Sequence, residues 1–437
     1  MARCERSRVF LPHSLQRAIS KFLASSSTAH VLLIAGGFAA LRVFIALRDG
    51  MVTAGDNAPE AGAALGRFWV GDVTFDQFMQ GYGGAFLRQR SSQLLYPLLI
   101  SLHRPLGLDL TTHLLVLNAA LGAVLIAASY FVGLRLHGKA YAVLVALLMC
   151  SVNGLYWIGR YPIVDNVFYA VIPIVALAVL NWDSRRTRGS AALMILAFAL
   201  LVLTRPESVL VVLAAGLVVV WRRARRSFSR GAVLASLTLG LAGAAIVALS
   251  VVRASPALER TLLTRAHVAW GLAGSAHTLF NRGSLEFDAI SARYMSGQFP
   301  DPDVAHYQMS MDAIATIRDN PAWYVLKIPL RGLAILFPWT YQPWSISHIA
   351  YEAIYTIFVV TGLVLLIRRG RMGLPATLLV AIPVAIWLFL SAYLIDNDLK
   401  HRNGVLVALN LIAPLGYFSP RGPRTASAPD IQEAPHG

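Results

Sequence analysis

A carboxylate that could take part in catalysis, Asp56, lies in the sequence Gly55-Asp56-Asn57, shortly after the apolar run 29–47 ends. A carboxylic acid with an ordinary pKa of about 3.9 is ionised at neutral pH. Asp56 could therefore accept a proton from a hydroxyl nucleophile, or orient that hydroxyl for attack. The structural alternative is that Asp56 caps a helix beginning near Pro59, because Asp favours the N-cap and Pro the first turn.

Two charged residues bracket a short turn in the sequence Arg160-Tyr161-Pro162-Ile163-Val164-Asp165. Apolar runs lie on both sides, so Arg160 and Asp165 are expected near one face of a membrane. They could form part of a polar site there. Two structural alternatives stay open: an Arg160–Asp165 pair, which contributes little at a surface, or Asp165 as the cap of the following helix.

A second charged turn is found in the sequence Thr204-Arg205-Pro206-Glu207. Two charges and a proline do not suit the middle of a bilayer, so this turn is predicted to separate two spans. An Arg costs roughly 3 kcal/mol at the centre of a membrane helix, so a charge near the hydrocarbon edge needs a partner. A mutual Arg205–Glu207 pair, or a helix cap, is the alternative to a role in binding substrate.

Four further residues could hold an anionic group. Lys327 and Arg331 are four residues apart on a predicted interfacial helix, 322–344, and therefore share one face. His401 and Arg402 precede the last apolar run. Two cations on one interfacial face fit an anionic headgroup or a lipid-linked phosphate. The alternative for each side chain alone is snorkelling to bulk phospholipid.

The composition indicates that these residues belong to a membrane protein. Of 437 residues, 57% are hydrophobic and 14% are charged, with a mean hydropathy of +0.60. Soluble domains carry about 25% charged residues, so much of this chain is expected to face lipid. Ten apolar runs are predicted to be transmembrane helices of about 20 residues each. The runs are 29–47, 112–134, 140–158, 163–181, 190–204, 208–221, 231–252, 349–367, 374–394 and 403–418.

The distribution of basic residues predicts the orientation of the chain. Short basic segments alternate with the spans as cytoplasmic loops do when both termini are cytoplasmic, and most acidic residues then lie outside. The net charge of +16 is therefore explained without a nucleic-acid partner. The prediction is a multi-pass protein of the inner (plasma) membrane with its site on the outer (periplasmic) face. The cytoplasmic loops would be 135–139, 183–188, 222–230 and 368–371.

Three parts of the chain are predicted. Residues 1–28 form a basic cytoplasmic tail, 29–418 a transmembrane domain, and 419–437 a disordered cytoplasmic tail. The transmembrane domain has two large outer segments, 48–111 and 253–348. Connections of that length are more often functional than merely connective.

The order of these motifs resembles that in the GT-C superfamily of membrane glycosyltransferases, in particular the bacterial protein mannosyltransferases and the lipid A aminoarabinose transferase. The resemblance covers residues 29–418. The motifs that carry it are Gly55-Asp56, Gln93-Leu94-Leu95-Tyr96-Pro97, Arg160-Tyr161 with Asp165, Leu203-Thr204-Arg205-Pro206-Glu207, and Lys400-His401-Arg402-Asn403.

The resemblance implies an all-α, GT-C-like bundle of about ten transmembrane helices, whose two outer loops contain interfacial helices. It also implies transfer of a sugar from a polyprenyl-phosphate carrier to a glycan, lipid or protein acceptor, with Asp56 as base or orienting carboxylate and Asp165 as a second catalytic acid. The chain departs from many relatives in having Asn57 after the first acid, and Pro59 and Glu60 where a Tyr is common. The implied substrate-binding residues are Arg160, Tyr161, Arg205, Glu207, Lys327, Arg331, His401 and Arg402.

Other functions stay open on the sequence. A lipid-linked oligosaccharide ligase or polymerase would bind a diphosphate carrier through outer Arg and His residues, without depending on Asp56. A non-enzymatic polysaccharide or lipid transporter would depend on mid-bilayer polar residues such as Asn118, and a non-catalytic relative would keep only the fold. The sequence indicates no cofactor with certainty; a divalent metal is compatible with the chemistry but not indicated.

Overall fold

The fold is described by a computed structural model in which all regular secondary structure of the described residues is helical. These residues are 26–52, 58–81, 84, 93–152, 154–205, 208–224, 255–277, 289–290, 292–294, 299, 301–336, 346–368, 374–393 and 399–418. The α-helices are α1 (Ser27–Asp49), α2 (Ala58–Trp69), α3 (Phe75–Gln80), α4 (Leu95–Ser101), α5 (Leu110–His137), α6 (Lys139–Ser151), α7 (Asp165–Arg185), α8 (Arg188–Val202), α9 (Ser208–Ala224), α10 (Pro256–Leu263), α11 (Ala266–His277), α12 (Pro302–Asp319), α13 (Pro321–Leu336), α14 (Ile346–Arg368), α15 (Leu374–Tyr393) and α16 (Leu399–Asn410).

Three helices, α1, α5 and α7, are long and apolar enough to cross a membrane. Shorter apolar helices or helical segments occur in α6, α8, α9, α14 and α15. The described part of the chain is therefore all-α, as expected, and carries helices suited to a membrane. The count of ten spans stays a prediction, and the predicted span 231–252 lies outside the described residues.

Most predicted spans coincide with helices, but two differ. The helix predicted over 140–158 ends at Ser151 and is followed by a turn and a short 3-10 helix, Trp157–Arg160. Gly154 in this turn has φ +95°, a conformation that favours glycine. The run 403–418 divides into α16 and the 3-10 helix Ala413–Tyr417.

Helices α1 and α5 run antiparallel, and their contacts define two ends of the bundle. Near the start of α1, His30 Nδ1 forms a 2.7 Å hydrogen bond with the Tyr130 hydroxyl, close to the end of α5. Further along α1, Arg42 contacts Asn118, which lies early in α5. The end of α1 therefore lies at the same end of the bundle as the start of α5.

Arg42 of α1 is buried in this bundle, with 2% of its surface exposed, and it contacts three other parts of the chain. Its guanidinium donates to the backbone carbonyls of Leu155 (Nε, 3.0 Å) and Asn118 (Nη1, 2.8 Å), and Nη1 also donates to Asn166 Oδ1 at 3.3 Å. The bond to Leu155 gives a hydrogen-bond donor to a buried carbonyl in the turn after α6. The bonds to Asn118 and Asn166 link α1 to α5 and α7. Hydrogen bonds to charged groups are about twice as strong as neutral ones, which offsets the cost of burying the charge.

The second predicted outer segment, 253–348, contains α10 to α13. Helices α11 and α12 pack through a small core of their own that includes Ala269, Ala273 and Met309. The predicted interfacial helix over 322–344 corresponds to α13, which packs against α15. Residues beyond Leu336 in that stretch lie outside the described ranges.

Candidate functional site

Separate motifs meet at the end of the bundle where α1 ends. The backbone N–H of Val52 donates to the Arg160 carbonyl at 3.0 Å, and that of Leu95 donates to the Leu203 carbonyl at 3.1 Å. The first outer segment therefore leaves α1 beside the Arg160 turn, and α4 begins beside the turn that follows α8. Asp56, four residues beyond Val52, lies outside the described residues.

Arg160 is held by the end of α1. Its Nε donates to the Gly50 carbonyl at 3.1 Å, its Nη2 donates to the Asp49 carbonyl at 2.7 Å, and its Nη1 lies 3.8 Å from Asp49 Oδ2. The guanidinium also lies 5.6 Å from the centre of the Trp157 ring. The suggested Arg160–Asp165 pair is therefore wrong: the carboxylate that lies beside the Arg160 guanidinium is that of Asp49.

Asp165 pairs instead with Arg205. Arg205 Nη1 donates to Asp165 Oδ1, and the two residues are only 5% and 4% exposed. The Arg205 guanidinium also lies 5.5 Å from the centre of the Phe168 ring. The ion pair joins the start of α7 to the turn after α8. The alternative that Asp165 caps this helix is wrong: the N-cap residue is Val164, and no side chain forms a capping hydrogen bond. Glu207, the partner suggested for Arg205, lies outside the described residues.

The backbone of the Arg160-Tyr161 turn is held by amide side chains. The Tyr161 carbonyl accepts from Asn166 Nδ2 at 2.8 Å, and Asn118 Nδ2 donates to the Gly159 carbonyl at 3.0 Å. Asn118 Oδ1 accepts from the Tyr96 hydroxyl at 2.7 Å. Both ends of the Asn118 amide are thus used in packing, and the Tyr161 ring is left half-buried at the edge of the turn.

Lys327 and Arg331 both bind the C-terminal part of α11. Lys327 Nζ donates to the Ala276 carbonyl at 2.7 Å, and Arg331 Nη2 donates to the Gly274 carbonyl at 2.9 Å. Cations are favourable at a helix C-terminus. Burial lowers the pKa of Arg331 to about 10, which leaves it charged at neutral pH. Since both residues are buried, neither side chain snorkels to bulk phospholipid.

The motif at the start of α16 approaches the Asp165–Arg205 pair through Phe168. A Cβ at Gly404 would lie 2.9 Å from Phe168 Cε1, so any larger residue would displace the Phe168 ring. Arg402 is buried and donates through Nη2 to Thr356 Oγ1 on α14 at 3.0 Å. His401 lies on the same helix, but its side chain is outside the described part of the structure.

One residue of this motif, Asn403, was not predicted as a site residue. Its side chain is fully buried, and neither Oδ1 nor Nδ2 has a hydrogen-bond partner among the described residues. It faces Gly154, where a Cβ would lie 2.9 Å from Nδ2. A buried amide normally has partners, so Asn403 is suited to bind a polar group that enters here. Its place beside His401 and Arg402 was the only signal in the sequence.

A polar groove of about 740 Å³ lies apart from this cluster, between α10 and the start of α12. It combines cations, carboxylates, hydroxyls and an aromatic ring, which are groups that can bind a hydroxyl-rich ligand. Its polar lining residues include Arg260, Thr261, Arg265, Asp301, Asp303 and Tyr307.

The described residues contain no group of three or more His, Cys, Asp or Glu side chains placed to hold a metal ion. Asp56 and Glu207 lie outside the described ranges. Comparison with known proteins adds no assignment: no family profile matches the chain, and no curated protein is significantly similar to it.

Proposed function

We propose that this chain is a membrane glycosyltransferase with a GT-C-like arrangement of helices. The observation that supports this most is that motifs far apart in the sequence meet at one end of the bundle. The end of α1, the Arg160 turn, the Asp165–Arg205 pair, the start of α4 and the start of α16 are joined there by the contacts described above. This is the arrangement that the resemblance to GT-C enzymes requires.

In the proposed reaction, Asp56 accepts the proton of an acceptor hydroxyl as the hydroxyl oxygen attacks the anomeric carbon of a polyprenyl-phosphate sugar. The bond from that carbon to the phosphate oxygen breaks, and the electron pair leaves with the lipid phosphate. In-line attack inverts the anomeric centre. Cationic side chains near the leaving phosphate stabilise its charge. The acceptor is a glycan, lipid or protein.

The paired residues position this chemistry. Arg160, bound to Asp49, fixes the segment from which the Asp56 loop departs. Asp165 holds Arg205, so we assign Asp165 a positioning role beside its predicted catalytic one. His401 is the residue of the α16 motif that we assign to the donor phosphate.

The proposed topology keeps ten spans in the inner membrane, both termini in the cytoplasm and the site on the outer face. Two features support it. The clustered motifs lie at one end of α1, α5 and α7, whereas Arg135 and Arg185 lie in the last turns of α5 and α7, at the other end. The positive-inside rule predicts basic residues at the cytoplasmic end of the spans, which in this topology is the end with Arg135 and Arg185.

The test is an Asp56→Asn variant in membranes supplied with a labelled polyprenyl-phosphate sugar. We expect loss of transfer by about 10²-fold or more, because a general base contributes about 10²–10⁴-fold. Asp72→Asn is the matched control: it makes the same change in the same outer segment, and Asp72 is exposed with only a 4.0 Å contact to Arg104. The control should transfer at the wild-type rate, with equal protein in the membrane.

Undiminished transfer by Asp56→Asn would remove Asp56 from the mechanism and favour a ligase or polymerase that uses a diphosphate carrier. Movement of the labelled lipid across the membrane without formation of a glycosidic bond would favour a transporter. Either outcome would overturn the assignment of Asp56 as base.

A further inference from the structure

A second cavity lies at the opposite end of the bundle from the candidate site. It is an apolar groove of about 400 Å³ between α5, α7 and α8. Leu193 and Leu196 of α8 are 49% and 55% exposed along it. Arg135, Asn181 and Arg185 also line it, almost entirely through their apolar atoms.

The two arginines of this groove, Arg135 and Arg185, differ from Arg186 in their ion pairing. Neither Arg135 nor Arg185 forms an ion pair with any residue that the structure describes, whereas Arg186 lies 3.7 Å from Asp183. Each lies in the last turn of its helix, where a cation is favourable. That preference places a cation on each helix, but it does not account for both cations lining one apolar groove.

We propose that this groove binds one anionic phospholipid. Its acyl chain lies in the groove among the leucines, and its phosphate lies beyond the groove, near the ends of the two helices that carry Arg135 and Arg185. Almost no polar atoms line the groove to hold water, so hydrocarbon is the natural occupant. Two cations at its end select an anionic headgroup over a zwitterionic one.

The positions of the two cations favour a lipid over a helix of another protein as the occupant. The cations lie at the end of the groove, at headgroup depth, while the exposed part of α8 is apolar. In the predicted orientation this end faces the anionic cytoplasmic leaflet. The site is separate from the proposed sugar transfer and does not depend on it.

The test uses the full chain purified in mild detergent with an equimolar mixture of phosphatidylglycerol and phosphatidylcholine, and counts retained lipids by native mass spectrometry. We expect the wild type to retain one phosphatidylglycerol. Arg135→Gln with Arg185→Gln should weaken its retention on the order of thirtyfold, as expected for loss of two cations facing an anionic headgroup. The matched control, Arg186→Gln with Arg188→Gln, removes the same charge outside the groove and should retain the lipid.

A second variant tests the apolar part. Leu196→Trp should block the groove at an exposed position and abolish retention, although it leaves both arginines in place. Equal loss in the two double variants, or equal retention of phosphatidylcholine, would overturn the proposal. A crosslinking experiment at position 196 could also overturn it. If a cysteine there crosslinks to chain segment 231–252, and a photoreactive phosphatidylglycerol does not label the groove, then the protein itself fills the groove.

Discussion

The buried pair between Asp165 and Arg205 offers the sharpest test of how this site is built. Asp165→Asn keeps an oxygen that can accept from Arg205 but leaves the guanidinium, at 5% exposure, without its counter-charge. Removing one member of a buried ion pair costs about 3–5 kcal/mol. Because Asn retains the hydrogen bond, we expect a loss near the lower end, about 3 kcal/mol of unfolding free energy.

The reverse change, Arg205→Met, leaves the carboxylate buried and should cost a similar amount. The double variant leaves no buried charge at this pair, so its loss should be smaller than the sum of the two single losses by at least about 2 kcal/mol. Asp183→Asn is the matched control on the same helix. The Asp183 pair with Arg186 is exposed, so its loss should be at most about 1 kcal/mol.

The assay is unfolding of the purified chain in mixed micelles with increasing denaturing detergent, followed by tryptophan fluorescence. Three variants and the control are compared at one pH and one ionic strength. A loss of unfolding free energy in Asp165→Asn that is no larger than in Asp183→Asn would contradict a buried ion pair at Asp165. So would single losses that add to the double loss within about 0.5 kcal/mol, because independent sites are additive to that extent.

Two further predictions concern buried cations. Lys327→Met should lower stability by about 1.5–3 kcal/mol, because a buried carbonyl of α11 loses a charged donor; an unchanged unfolding midpoint would instead fit a side chain that faces lipid. Gly122→Ala should cost about 1–3 kcal/mol, since its Cβ would lie 2.8 Å from Arg42 Cδ, which is held by hydrogen bonds. Gly36→Ala, with open space around it, serves as the control and should be neutral or slightly stabilising in the same assay.

The sequence predicts the positions of the described helices well because length and apolarity are local properties. The runs 29–47 and 112–134 each fall within a helix that extends a few residues further at both ends, and the run 163–181 overlaps α7, which begins at Asp165 and ends at Arg185. Capping residues set some of these limits: Ser26 accepts from the backbone N–H of Ala29 at the start of α1. Such signals require only neighbours in the chain.

The sequence does not reveal where an apolar run stops being helical. Residues 140–158 read as one span, yet the helix ends at Ser151 because the following carbonyls find other partners. The carbonyl of Leu155 accepts from Arg42, a residue more than a hundred positions earlier in the chain. The pair Asn153-Gly154 was the local sign of a turn.

The partners of the charged residues could not be predicted for the same reason. Proximity in the sequence suggested that Arg160 would pair with Asp165, whereas tertiary packing brings Asp49 to Arg160 and Arg205 to Asp165. A buried charge takes the nearest compensating group in space. The sequence thus identified Arg160, Asp165 and Arg205 at this end of the bundle, but not how they pair. It grouped Lys327 and Arg331 with them, whereas these two side chains bind carbonyls of α11.

The guanidinium of Arg42 has a consequence for biosynthesis. In the proposed topology, an unpartnered Arg near the centre of a nascent membrane helix costs roughly 2.5–3.5 kcal/mol. The first of its hydrogen-bond partners, the Asn118 carbonyl, is translated 76 residues later, and Asn166 follows 124 residues after Arg42. At about 5–20 residues per second, the ribosome takes roughly 4–15 seconds to reach Asn118. Until then the Arg42 guanidinium has none of the partners that it has in the folded bundle, so the charge adds its full cost to the insertion of α1.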